Sequence, residues 1–133
     1  MKDQDITERI IAMAIKIHSR FGPGLLETAY RKMLFSLLVN DGWIVEEEKN
    51  LSIQFDGILI EQGYRIDLLV DNKVVVEVKS VEDLRRVHYN QIMTYLRVGN
   101  YRTGLLINFN VLSLKHGLRR VSNDRMLENK NKI

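Results

Sequence analysis

No cysteine occurs anywhere in this 133-residue chain. Disulfides, thiolate metal sites, iron–sulfur ligation and cysteine nucleophiles are thereby excluded, and any metal must be held by oxygen or imidazole. Proline is nearly absent as well, the single one standing inside Phe21-Gly22-Pro23-Gly24. No apolar run approaches the roughly 20 residues of a membrane helix. The opening stretch from Met1 to Arg9 is polar and charged, without the basic-then-apolar order of a secretory signal. A cytoplasmic protein without membrane association is expected.

Strong net charge is also missing, since 20 Lys and Arg oppose 17 Asp and Glu, but the small excess is unevenly placed. Lys115, Arg119, Arg120, Arg125, Lys130 and Lys132 face only Asp124 and Glu128. A basic end of this kind suits a phosphate-bearing ligand, and it suits a solvated tail equally well. A hydrophobic fraction of 45% with 28% charged residues is that of a globular protein. The length allows one real core and is short for two, so a single domain over residues 1–133 is expected, frayed from about residue 123.

Apolar residues at Ile6, Ile10, Ala14 and Ile17 recur at helical spacing and predict an amphipathic helix from about Asp5 to Arg20, with Asp5 or Thr7 as cap. The Gly-Pro-Gly segment stops it. A second helix is predicted from Leu25 to Val39, burying Leu26, Ala29 or Tyr30, Met33, Leu37 and Leu38 and ending at Asn40-Asp41-Gly42. Strand periods follow at Trp43 to Glu47, Leu51 to Phe55, Ile58 to Ile60, Tyr64 to Val70 and Val74 to Lys79, with turns at Asp56-Gly57 and Asp71-Asn72. This block reads as an antiparallel meander. Helical spacing returns from Leu84 to Val98, then a buried strand from Thr103 to Phe109 and a last one near Gly117 to Val121.

Three charged side chains interrupt the apolar strands: Asp67, Glu77 and Lys79. Alternation along a strand sends Glu77 and Lys79 to one face with Val75, and Val74, Val76 and Val78 to the other. If the two strands form a hairpin, Asp67 lies across from Glu77 or near it, and two carboxylates converge. Their repulsion calls for a counter-charge, and magnesium suits it: a hard cation that takes a few carboxylate oxygens and leaves positions for water and phosphate. A salt-bridged stripe on a solvated sheet face is the plainer alternative. A second motif precedes the strands, Gly24-Leu25-Leu26-Glu27-Thr28-Ala29-Tyr30, in which Glu27 and Tyr30 stand one helical turn apart. On the later helix His88, Gln91 and Tyr95 share one side. His18 and His116 have no partner ligand at useful spacing, and Trp43 and Tyr101 read as packing aromatics.

These motifs together resemble the GxxExxY proteins of the PD-(D/E)XK nuclease superfamily: Gly24, Glu27 and Tyr30, then Tyr64-Arg65-Ile66-Asp67, then Val76-Glu77-Val78-Lys79. The likeness continues through His88-Tyr89-Asn90-Gln91, Thr94-Tyr95-Leu96 and Gly104-Leu105-Leu106-Ile107-Asn108-Phe109. It implies an α/β (α+β-like) fold, a central mixed sheet flanked by helices in the restriction-endonuclease-like αβββαβ order. It implies Asp67 and Glu77 as metal ligands with Glu27 as an additional carboxylate, Lys79 as catalytic lysine, and Gln91 as a supporting polar residue. The expected activity is Mg2+- or Mn2+-dependent hydrolysis of DNA or RNA. The rival expectation is a non-catalytic nucleic-acid-binding or protein-interaction module on the same fold, its sheet edge open to a homodimer.

Overall fold

The computed structural model describes residues 2–61 and 63–124. Two helices, α1 (Asp3–Phe21) and α2 (Glu27–Asn40), precede five strands: β1 (Val45–Asn50), β2 (Ile53–Phe55), β3 (Ile58–Ile60), β4 (Arg65–Val70) and β5 (Val74–Lys79). Then come α3 (Arg86–Gly99), β6 (Thr103–Asn108), a 3-10 turn (Leu114–Gly117) and β7 (Leu118–Ser122). The main sheet has the order β1-β4-β5-β6-β7. Only β5 and β6 run parallel, joined by the α3 crossover that a parallel pair requires. A mixed sheet flanked by helices is what the sequence led one to expect.

The antiparallel meander is corrected by the pairing. β1 hydrogen-bonds to β4, not to β2, while β2 and β3 form a separate two-stranded hairpin. Asp56 and Gly57 both have positive φ at its tip, the backbone a tight two-residue hairpin turn demands. Its neck closes where Leu51 N donates to Tyr64 O at 2.8 Å. Phe55, Ile58, Leu59 and Ile60 are exposed along it, so the hairpin lies outside both cores.

Those cores lie on opposite faces of the sheet. Ile6, Ile10, Ala14 and Ile17 of α1 and Tyr30, Leu34 and Leu38 of α2 pack against Val74, Val76 and Val78, together with Leu105 and Ile107. Ile92, Tyr95 and Leu96 of α3 cover Val75, Leu69 and Leu106 on the other side. The period-2 reading of β5 is therefore correct: its three even-numbered valines face α1 and α2. Burial of this kind, about 25 cal/mol per Å² of apolar surface, drives the layers together.

Several boundaries shift for local reasons. α1 begins at Asp3, and Thr7 does not cap it, because its hydroxyl donates to Gln4 O within the helix. Asp3 instead reaches Thr103 Oγ1 at 2.6 Å, tying the helix start to β6. α2 begins two residues late because Leu26 is still extended, and its side chain is exposed, not buried as expected. β1 starts after Ile44 and runs on to Asn50. Fraying from residue 123 does not hold for Asn123, which is buried and donates its N–H to Arg102 O at 2.8 Å. Residues 125–133, the rest of that expectation, lie outside the described residues. Among the described residues no helix is long and apolar enough to cross a membrane.

Gly117 allows the closest backbone approach, since a Cβ there would collide with the carbonyl oxygen of Asn108. Asn108 in turn fixes the exit of β5 by accepting from Val81 N at 3.0 Å and donating to Val81 O at 2.9 Å. Gly117→Ala should therefore destabilise the protein by about 1–3 kcal/mol, the usual cost of overpacking. Urea unfolding checks it, and an unchanged midpoint contradicts it.

Candidate active site

The site grows from a fault in the sheet. β4 and β5 pair regularly from Val70↔Val74 to Leu68↔Val76, and the next step in that register sets Asp67 opposite Glu77. There the backbone ladder stops and side chains replace it. Glu77 Oε2 accepts from Asp67 N at 2.8 Å, and Asp67 Oδ2 accepts from Val78 N at 2.8 Å. Alternation also breaks at this point, because Ile66 and Leu69 face α3 while Leu68 and Val70 face α1 and α2. Across β1, Glu48 lies between the pairs Glu47↔Leu68 and Lys49↔Ile66 and has a left-handed backbone, φ 51°. The strands part around the carboxylates.

Each carboxylate thus spends one oxygen on a strand N–H. Among the described residues no donor reaches Asp67 Oδ1 or Glu77 Oε1. Glu77 is only 2% exposed. Burial pushes its pKa from 4.5 to about 8, with the neighbouring Asp67 charge acting in the same direction. Asp67 is also raised, again mainly by burial, while the N–H of Val78 and the charges of Lys79 and Arg31 oppose that shift. Two neighbouring carboxylates of raised basicity, each with an oxygen left over, are a donor set for a hard cation.

Lys79 leaves the same face of β5 as Glu77 and donates from Nζ to Gln91 Oε1 on α3 at 2.8 Å. Tyr95 lines the same cleft one turn on from Gln91, and its phenol is raised in pKa by burial and by the Glu77 charge. His88, expected beside them, instead accepts from Arg85 N at 2.8 Å and caps α3. The cleft enclosed has a volume of about 230 Å³, and Asp67, Glu77, Lys79, Gln91 and Tyr95 line it with Arg31 and Arg65.

The helical motif divides its labour. Gly24 takes φ +114°, a conformation that L side chains rarely adopt. Tyr30 is fully buried, stacked on Phe109 at 4.3 Å, and its hydroxyl donates to Gly22 O and accepts from Leu25 N. Ser80 Oγ, just past Lys79, donates to Leu25 O at 2.9 Å and ties this loop to the end of β5. Glu27 then opens α2, exposed, and its charge raises the pKa of both Asp67 and Glu77. The structure brings Asp67, Glu77, Lys79 and Gln91 together and leaves Glu27 apart: no three acidic or His residues among those described converge closely enough to hold one ion. Sequence reasoning missed Arg31 and Arg65. Arg31 stands four residues after Glu27, on the same side of α2, and Arg65 lies within the quoted Tyr64-Arg65-Ile66-Asp67, so the spacing held the signal.

A mixed sheet with helices on both sides, parted by a carboxylate pair and a lysine, defines a protein of the restriction-endonuclease-like fold. A model of the PD-(D/E)XK nuclease superfamily matches residues 4–121, and the chain belongs to that superfamily. The crystal structure of SSO0001 shares the fold, with a TM-score of 0.52 and 20% identity over 79% of this chain. The present chain spans 57% of that protein's length. No curated protein matches it.

The raised Glu77 pKa has a consequence for stability. Without a cation the folded state keeps a proton that the unfolded chain releases above about 4.5. Its contribution is intact below that pH, declines as pH rises and is lost by about 8. Glu77→Gln cannot ionise, so its melting temperature should gain on that of the wild type between pH 5 and pH 8.5 in chelator-treated buffer, two values chosen about that window. A difference independent of pH contradicts this.

Proposed function

We propose that this protein hydrolyses phosphodiester bonds of nucleic acid using Mg2+ or Mn2+, with Asp67 and Glu77 holding the ion. The supporting observation is that buried Glu77 and half-buried Asp67 line one cleft, each with an oxygen that no donor among the described residues reaches. Two carboxylates are enough, because Mg2+ characteristically binds through one or two of them and fills its remaining positions with water and phosphate oxygens. Such an ion, when bound, supplies Lewis-acid polarisation of the phosphate and a hydrolytic water of lowered pKa. Glu27, whose charge both carboxylates feel although it does not line the cleft, is the additional carboxylate, acting on the ion through water.

The remaining work falls to the chain's own groups. Lys79 offers an ammonium beside the carboxylates, oriented by Gln91, where it can steady a water or the charge growing on a phosphoryl oxygen. Gln91 presents its carbonyl to Lys79, so the lysine is held in place from α3. Within the superfamily, Gly24, Glu27 and Tyr30 support membership of the GxxExxY group. A single catalytic domain acting in the cytoplasm is part of the same reading.

Purified protein with Mg2+ or Mn2+ should cleave DNA or RNA. Asp67→Ala, Glu77→Ala and Lys79→Ala should each lower kcat by about 100-fold or more, the scale of removing a group that acts on the transition state. Gln91→Ala should act more mildly. Binding without cleavage, unaffected by metal and by Asp67→Ala, would favour a non-catalytic module instead.

A further inference from the structure

We propose that Arg31 is the phosphate-binding residue of this cleft, held by Glu47 and Glu48 until a substrate phosphodiester takes their place. The inference rests on the nuclease reading and specifies how the substrate is held. Arg31 projects from α2 one turn after Glu27, so both face the same side of the helix. Its Nε donates to Glu47 Oε2 at 3.1 Å, and its Nη2 lies 3.3 Å from Glu48 Oε1. Nη1 makes no hydrogen bond to the described residues.

Among the described residues three cations line the cleft, and they differ in what they can do. Lys79 Nζ spends one of its three donors on Gln91 and directs the others at the reacting centre of the proposed hydrolysis. Arg65 stands at the rim with 62% of its side chain exposed, where water screens its charge. Arg31 is 15% exposed and close enough to lower the pKa of Asp67. A planar guanidinium in a partly desolvated wall, with donors to spare, matches two oxygens of a phosphodiester. A strut joining α2 to β1 is a poor explanation of the same contacts, because the carboxylates of Glu47 and Glu48 are 28% and 45% exposed and solvated ion pairs stabilise little. Glu48 serves Arg31 and, at 3.9 Å, Arg65, so an incoming anion meets cations that are already oriented.

The test is fluorescence anisotropy of the whole protein with fluorescein-labelled oligonucleotides, as duplex DNA and as single-stranded DNA and RNA, over a salt series in Ca2+. Arg31→Met should weaken binding about tenfold or more, the worth of charge-assisted hydrogen bonds. It should also flatten the slope of log K against log salt by about 0.9 on duplex or about 0.7 on single strands. Arg31→Lys should keep the slope and lose part of the affinity. Glu47→Gln, which removes one of the two charges holding Arg31, should tighten binding beyond Glu46→Gln, which removes a nearby charge paired among the described residues with Lys49. Wild-type affinity and slope in Arg31→Met overturn the proposal. So does a joint fall in melting temperature and affinity in Arg31→Met and Glu47→Gln, the behaviour of a strut. Wild-type binding without cleavage in Mg2+ or Mn2+ defeats the nuclease reading alone, with the Arg31 slopes still deciding this one; no binding to any probe defeats both.

Discussion

Two like charges forced together in a low-dielectric seam govern this molecule. Asp67 and Glu77 meet where β4 and β5 would otherwise close their ladder, and each carboxylate takes the N–H that its neighbour strand has left unpaired. The exchange satisfies the backbone, which cannot be buried without partners. It leaves the electrostatic problem unsolved, since burial and mutual repulsion both disfavour the charged forms. A cation between the inner oxygens relieves both penalties. The arrangement is thus poor as a stabiliser and apt as a binding site, the usual relation between strain and function.

Everything near the seam serves to hold it open in one geometry. Val74, Val76 and Val78 anchor β5 from one side while Val75 anchors it from the other, so the strand cannot turn Glu77 and Lys79 to its other face. Asn108 on parallel β6 pins the turn after Lys79, and Ser80 connects that turn to the loop before α2. Tyr30 fixes the same loop from the core and, through it, the start of α2, the helix from which Arg31 reaches the cleft. A helix, two strands and a crossover helix therefore converge on one small volume.

Much of this was legible in the residues. Period-2 alternation assigned the two faces of β5 correctly, and the 3- and 4-residue spacing of Ile6, Ile10, Ala14 and Ile17 located the buried side of α1. Charged side chains inside apolar strands marked Asp67, Glu77 and Lys79, and the family resemblance singled out Gln91 from the residues that helical phase set on one side of α3. What failed was non-local. Nothing in a strand's own sequence says that its partner lies beyond an intervening hairpin, so β1 was joined to the wrong neighbour. The separation of Glu27 from the carboxylate pair depends on Leu26 staying extended, and the capture of His88 by Arg85 N depends on where α3 starts, a boundary spacing fixes only loosely. Arg31 went unseen because an arginine on a helix reads as solvated until its neighbours across the fold are known.

The account stands on one divalent ion shared between strands. Crystals soaked in Mn2+ and recorded at its absorption edge test it most directly, because anomalous density reports the ion independently of any activity. The account predicts a single peak between Asp67 and Glu77, within about 2.0–2.6 Å of an oxygen of each as hard-cation coordination requires, and none in Glu77→Gln. Soaked crystals with no density there, or with manganese bound only to carboxylates elsewhere, contradict it.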